Sequence, residues 1–254
     1  MKNEKKERKE EDVKYILSYG GGLNSTALLI FLIKNNYPLD LVIFADTGNE
    51  FNYTYETVKT YNEYCNNNNI QFQIVKSKNG IIYDYYFEKK ITPNRMKRDC
   101  TTKFKISPIR QYIRKKYPKE KFVFYIGIDF DEYHRMRESN VKYIKNEYPL
   151  VDNKIGRNDC ITILKNENLP VPEKSGCYFC PFTNKENWIK LLNSNPELYE
   201  QAIKLEENSM KFPKPVSLLS SKPLRIIKEK HQRNDLFKLD QFIPNCDISG
   251  SCFL

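Results

Sequence analysis

The sequence predicts an α/β protein whose parallel sheet is flanked by helices, with a smaller helical, cysteine-bearing C-terminal part. Three observations predict it. Short apolar runs recur at 13–18, 41–44, 70–75 and 122–126, and most are continuous, as strands covered on both faces require. Helical patterns separate the runs, which is the signature of parallel connection. A glycine triplet closes the first run and opens the first helix.

Element by element, 13–18 reads as the first strand and 26–33 as a buried helix. The run 41–44 is a second strand ending at Asp46-Thr47-Gly48, and 53–66 is helical in pattern. The alternation over 70–75 gives a third strand. Residues 79–100 are aromatic and irregular. Helix 107–116 carries Pro108 in its first turn, a position proline tolerates. Strand 122–126 ends at Gly127, and helix 158–168 stops before Pro170 and Pro172. A cysteine loop follows at 175–182, then amphipathic helices at 185–194 and 196–209. The tail from Lys211 reads as mostly loop with one short basic helix. The expected organisation is a charged arm at 1–12, a nucleotide-binding core at 13–150, and a helical, cysteine-bearing region and tail at 151–254.

Length and composition bound the function. The chain has 254 residues, 40% hydrophobic and 13% aromatic, enough for a core and against global disorder. No run of about 18 apolar residues exists, which excludes an ordinary membrane-spanning helix and a membrane partner of that kind. Residues 1–12 are nearly all charged with no apolar h-region, so the expected compartment is cytoplasmic. Lys+Arg total 42 and Asp+Glu 32, a net charge of +10. The cations cluster at 103–121 (including Lys103, Lys105, Arg110, Arg114, Lys115 and Lys116) and at Lys222, Arg225, Lys228, Lys230 and Arg233. Such clusters fit DNA or RNA phosphates, or simply a solvated face.

The loop Gly20-Gly21-Gly22-Leu23-Asn24-Ser25-Thr26 sits between strand and helix. Consecutive glycines let backbone N–H groups approach an anion, the helix N-terminus adds its dipole, and Ser25 or Thr26 can add a hydroxyl. There is no lysine, so this is not the P-loop of kinases, and the third glycine of a dinucleotide fingerprint is missing. Asp46 falls at a strand's carboxyl end, where it either caps the next turn or meets a ligand.

The seven cysteines, an odd number, argue against a disulfide framework. Cys177-x-x-Cys180 is the sharpest feature, since two thiolates at this spacing chelate one metal. With Cys100 and Cys160 they make four soft ligands, enough for a [4Fe–4S] cluster or an all-cysteine Zn2+ site. Cys65, in a helical pattern, reads as a small core residue. Cys246 and Cys252 are tail residues available for sulfur relay.

Together the motifs resemble the adenine nucleotide α-hydrolase-like (PP-loop ATP pyrophosphatase) superfamily, and within it the phosphoadenosine phosphosulfate (PAPS) reductase branch. The glycine loop is similar to its Ser-Gly-Gly-x-Asp-Ser, with Gly20 at the serine and Asn24 at the aspartate. Asp46-Thr47-Gly48 resembles the branch's Asp-Thr-Gly. Arg98-Asp99-Cys100-Thr101-Thr102-Lys103-Phe104-Lys105 resembles its Arg-x-Cys-Thr…Lys, and Gly127-Ile128 with Asp131-Glu132 and Arg135 its Gly…Asp-Glu…Arg. The resemblance covers about 13–185 and implies a Rossmann-like PP-loop fold, similar to sulfonucleotide reductases and DNA phosphorothioation enzymes. It implies an adenine nucleotide (ATP with Mg2+, or PAPS/APS) held at Gly20, Gly21, Gly22, Asn24, Ser25, Thr26 and Asp46. Asp46, Lys103, Lys105 and Arg135 would be the catalytic groups. It favours iron–sulfur over zinc at Cys100, Cys160, Cys177 and Cys180. The implied activity is adenylation and sulfur transfer to a nucleic-acid acceptor, with a sulfur donor such as a cysteine desulfurase. Two alternatives stay open. One is a sulfonucleotide reductase, although its C-terminal Glu-Cys-Gly is absent. The other is a non-catalytic nucleotide- or nucleic-acid-binding module.

Overall fold

The computed structural model describes residues 13–209, 217–218 and 222–232. The arm at 1–12, Arg233, Cys246 and Cys252 lie outside the described residues. The chain divides into two compact units that interleave in sequence. The first comprises Met1–Asp46, Glu50–Lys76 and Ile106–Gly176, the second Thr47–Asn49, Ser77–Lys105 and Cys177–Leu254.

The first unit is built on a five-stranded parallel sheet of order β3-β2-β1-β4-β5. Its strands are β1 (Val13–Tyr19), β2 (Leu41–Asp46), β3 (Gln71–Lys76), β4 (Lys121–Ile126) and β5 (Ile144–Glu147). Alternate residues feed two cores. Leu17, Tyr19, Val42, Phe44, Val123 and Tyr125 face one, and Ile16, Leu41, Ile43, Phe122, Phe124 and Ile126 face the other. Burial on both faces is why β1, β2 and β4 read as unbroken apolar runs.

Helices α1 (Leu23–Lys34) and α2 (Asn52–Asn67) contribute to the first core. Most of the apolar length of α1 is buried: Leu23, Ala27, Leu28, Leu29, Ile30 and Leu32, with Phe31 and Ile33 partly so. Three further helices of the chain are α3 (Ile82–Glu88), α4 (Asp99–Thr101) and α5 (Ser107–Lys116), and α5 covers the second core with Ile109 and Ile113. Beyond the short α6 (Pro149–Asp152), α7 (Arg157–Asn166) brings Cys160 and Leu164 to the first core.

In the second unit, α3 occupies part of the stretch that reads as irregular. Its Ile82 and Tyr86 are buried one helical turn apart, a pattern masked by the aromatics between them. A π turn (Thr102–Ile106) continues α4. Helices α8 (Lys185–Ser194), α9 (Pro196–Ser209) and α10 (Leu224–Gln232) complete the described part, with Trp188 edge-on to Tyr199 at 5.9 Å. The wholly buried Glu206 accepts from Ser217 Oγ (2.6 Å), Leu218 N–H (2.8 Å) and Leu224 N–H (2.7 Å). These charge-assisted bonds satisfy its burial and fix the start of α10 on α9. Among the described residues no helix is long and apolar enough to cross a membrane.

Candidate functional site

The strand order reverses between β1 and β4, so the loops leaving those two strands open a crevice at the sheet's carboxyl edge, where open α/β sheets take ligands. The loop after β1 is 20–22, and the loop after β4 is 127–129. Gly127 makes their approach possible. A Cβ there would stand 2.7 Å from both Cα and N of Ser25. Gly21 has φ +70°, a left-handed conformation that favours glycine.

Gly22 caps α1 without a side-chain bond, and the first turn of α1 holds no acidic residue. The N–H groups of that turn have no intrahelical acceptor, and the helix dipole favours an anion in front of them. Ser25 and Thr26 shape this loop from within. Ser25 Oγ accepts from Gly20 N–H (3.2 Å) and donates to Gly22 O (3.1 Å). Thr26 Oγ1 donates to the same carbonyl (2.9 Å) and pairs with Tyr19 OH (3.1 Å). Both side chains are buried, so the anion donors this loop presents are backbone N–H groups rather than these hydroxyls.

Facing α1 is a polar group carried by the 3-10 turn Phe130–Arg135. Asn24 Nδ2 donates to Asp129 Oδ2 (2.9 Å) and, more weakly, to Glu132 Oε2 (3.4 Å). Asp129 Oδ1 accepts from Glu132 N–H (3.0 Å) and so caps the turn. Arg135 Nη1 pairs with Glu132. Two buried atoms in this group lack a partner among the described residues, Asn24 Oδ1 and Arg135 Nη2. One is an acceptor and the other a cationic donor, the complement of a ligand carrying both a bound cation and anionic oxygens. Burial first, and then the Glu132 charge, raise the pKa of Asp129. A carboxyl whose folded pKa is raised contributes stability below its unfolded pKa of about 3.9, and that contribution is lost as pH rises through the folded value.

Asn24 sits between Asp129 and Glu132, its amide donating to both, while Arg135 pairs with Glu132. Asn24→Asp would replace that donor with a third carboxylate. The expected result is a loss of roughly 1–3 kcal/mol at pH 8, recovered at pH 5 or by Mg2+. Thermal melts of both proteins at the two pH values, with and without Mg2+, check it.

The other candidates have these places. Asp46, at the end of β2, accepts from Tyr55 OH (2.9 Å) and pairs with Lys76 (3.4 Å). Asp131 accepts from Arg157 N–H (2.8 Å) at the start of α7, a structural cap. In the second unit Lys103 is held by Asp99 (2.8 Å) and Tyr85 OH (2.7 Å), and Tyr86 OH donates to Asp99 (2.7 Å). Burial opposes the Asp99 charge, but the bonds from Lys103 and Tyr86 outweigh it and hold its pKa below the usual carboxylate value. The Lys103 ammonium is thus committed to Asp99, and Lys105 lies half-buried in the π turn.

Of the four candidate cysteines, Cys160 belongs to the first unit and Cys100, Cys177 and Cys180 to the second. Cys160 is wholly buried in the apolar core of the first unit, where burial, and then the Asp129 and Asp159 charges, push its thiol up to about 12. Its neighbours on α7 are apolar at helical spacing, so the helix turns this cysteine inward with Leu164. Cys65 is buried in the same core, its thiol pushed up to about 12 by burial. Cys100, Cys177 and Cys180 are half-buried residues of the second unit, and none of the five described cysteines is in a disulfide. Thr47 Oγ1 lies 3.3 Å from Cys177 Sγ, and Cys180 N–H donates to Cys177 O (3.1 Å), a tight turn. Among the described residues no three His, Cys, Asp or Glu side chains are grouped to hold a metal ion.

Sequence reasoning missed Asp129, which is 1% exposed yet central to the crevice. Its signal was position, two residues after Gly127, the glycine that follows β4.

A sequence model of the phosphoadenosine phosphosulfate reductase domain matches residues 14–150. An uncharacterized protein of Methanocaldococcus jannaschii is 28% identical over 199 residues, covering 72% of this chain and 45% of that protein, so the chain spans less than half of that relative's length. Among solved structures, the chain is similar to PAPS reductase from Candida auris in its phosphate complex. That match has 14% identity and a TM-score of 0.48, over 66% of this chain and 82% of that one. It is also similar to the U34-tRNA thiolase NcsA from Methanococcus maripaludis with its [4Fe-4S] cluster. That match has 16% identity and a TM-score of 0.44, over 89% of this chain and 82% of that one. The matched domain takes in the glycine turn, Gly127 and the whole Asn24–Asp129–Glu132–Arg135 group, and spans more than half of the sequence; the chain belongs to the phosphoadenosine phosphosulfate reductase domain family.

Proposed function

We propose that this chain binds ATP with Mg2+ at the crevice between β1 and β4 and adenylates an acceptor oxygen in a nucleic acid, which sulfur then replaces. The observation that carries the reading is the uncapped start of α1 beside two orphaned buried atoms, Asn24 Oδ1 and Arg135 Nη2. The loop N–H groups hold the β- and γ-phosphates. Mg2+ needs only one or two protein oxygens when phosphates supply the rest, and Asn24 Oδ1 and Asp129 offer them. A Mg2+ held by these two residues would supply charge neutralisation at the leaving pyrophosphate.

Arg135 Nη2 meets the α-phosphate as charge develops on it, the role of a preorganised donor. The acceptor oxygen attacks the α-phosphorus, and the bond to pyrophosphate breaks. A sulfide-level nucleophile from a donor then attacks the activated carbon, and the carbon–oxygen bond to AMP breaks. No step is routed through a metal cluster.

The family also favours a second reading, reduction of a sulfonucleotide. Parallel incubations with ATP plus Mg2+ and with PAPS plus a dithiol separate the two. Nucleic-acid-stimulated AMP and pyrophosphate are expected. Sulfite from PAPS would establish the reductase instead, and tight nucleotide binding without turnover would make the chain a binding module.

A further inference from the structure

The basic clusters conspicuous in the sequence are largely engaged within the fold. Arg114 lies 3.6 Å from the centre of the Tyr143 ring and donates to Pro118 O (3.0 Å), and Lys116 donates to Gln71 (2.8 Å). Arg225 pairs with Glu207 and Lys228 with Glu200. A different basic surface, at 87–98 in the second unit, carries cations on a preset loop. Asn94 orders it, with Oδ1 accepting from Lys97 N–H (2.8 Å) and its carbonyl from Arg98 N–H (3.3 Å).

The Arg95 and Arg98 guanidiniums lie over the Phe182 ring, at 5.7 and 5.4 Å from its centre, and Arg95 Nε donates to Pro181 O (2.8 Å). An aromatic brace holds such planar forks ready for a phosphate at little entropic cost. Between them in sequence Met96 is 96% exposed, and Lys89, Lys90 and Lys97 of the same stretch are exposed, Lys89 with its ammonium 5.0 Å from the centre of the Tyr85 ring. The acids within or next to this stretch are Glu88 and Asp99, and Asp99 is already committed to Lys103 and Tyr86.

We propose that the 87–98 surface is a binding site for single-stranded nucleic acid, with the braced arginines and the lysines on phosphates and Met96 against an unstacked base. This deepens the proposed function and rests on its nucleic-acid acceptor. An acidic protein would satisfy the charge alone. A single strand satisfies both the charge and the exposed thioether, because its base faces are accessible where those of a duplex are not.

The test uses the full chain and fluorescence anisotropy with labelled single-stranded RNA, single-stranded DNA and duplex DNA over a salt series. Lys89→Glu with Lys97→Glu alters two exposed side chains, so folding is not at issue. This double variant should weaken single-strand binding at least about tenfold and make the salt dependence shallower by about 1.4, two contacts at ~0.7 each. Met96→Ala should weaken it at least about threefold with the salt slope unchanged. ATP affinity by calorimetry should not move in either variant. Unchanged single-strand affinity in the double variant overturns the proposal. So does equal affinity of the wild type for duplex, or binding of polyglutamate in place of single strands. AMP and pyrophosphate formation is measured alongside. Its absence with strand binding intact sinks adenylation and leaves this surface standing, whereas AMP formation with unaltered strand binding in the double variant sinks this surface alone.

Discussion

Gly127→Ala is expected to abolish adenine-nucleotide binding, although Gly127 itself need touch no nucleotide. The added Cβ would meet Ser25 backbone atoms at 2.7 Å and Asn24 C at 3.1 Å. Backbone cannot swing aside as a side-chain tip does, so α1 must shift away from β4. That shift carries the N–H groups of the loop and Asn24 out of register with Asp129. A displacement near 1 Å at a positioning element commonly costs about a hundredfold, and calorimetry should show at least that loss.

The overpacking itself costs roughly 1–3 kcal/mol, which a thermal melt reads separately. Gly80→Ala is the control. Gly80 has φ +78° with open space around it, so alanine there strains the backbone without moving the loop. It should lower stability slightly and leave nucleotide affinity alone. A well-folded Gly127→Ala protein with unaltered affinity would remove the glycine turn from the site.

Arg135→Ala should lower kcat/KM for AMP formation by about 10²–10³, the usual cost of removing one preorganised donor to a developing charge. Its side chain is 9% exposed, one nitrogen is bound to Glu132, and the other has no partner among the described residues. Arg135→Lys should recover only a small part of the loss, because an ammonium cannot hold Glu132 and a second acceptor in one plane. If Arg135 merely balanced Glu132, lysine would restore activity nearly in full. The split between kcat and KM separates the roles further. A transition-state contact lowers kcat, whereas a contact equal in ground and transition states raises KM.

Much of the fold was legible because a doubly covered parallel sheet writes long apolar runs. β1, β2 and β4 could hardly be misread. β5 left no such trace, because only Ile144 among its residues is buried and it pairs at the sheet edge. α3 was hidden by the opposite fault, too many aromatics, so that the Ile82–Tyr86 turn did not stand out.

At the proposed crevice, motif order made the glycine turn and Arg135 candidates. Asp129 could not, since one carboxylate acquires its meaning only when β4 lies beside β1. Cys160 shows the limit from the other side. Counting thiols made it a candidate ligand, and only the structure gives its place on α7 beside Leu164 in the buried core of the first unit. Arg114 and Lys116 lie on rings and on neighbouring polar groups. Arg95, over the Phe182 ring, stands with Lys97 on a loop that carried no helical or strand signal.

The measurement that tests the central claim most directly is amide hydrogen exchange of the full chain with and without ATP and Mg2+. The phosphates are placed on the N–H groups at the start of α1, and the nucleotide draws Asn24 and Arg135 together. Saturable protection is therefore expected in peptides covering 19–30 and 127–136, with the same dependence on ATP concentration in both. Saturable binding of ATP without added protection in either segment would contradict the account, wherever else the protection appeared.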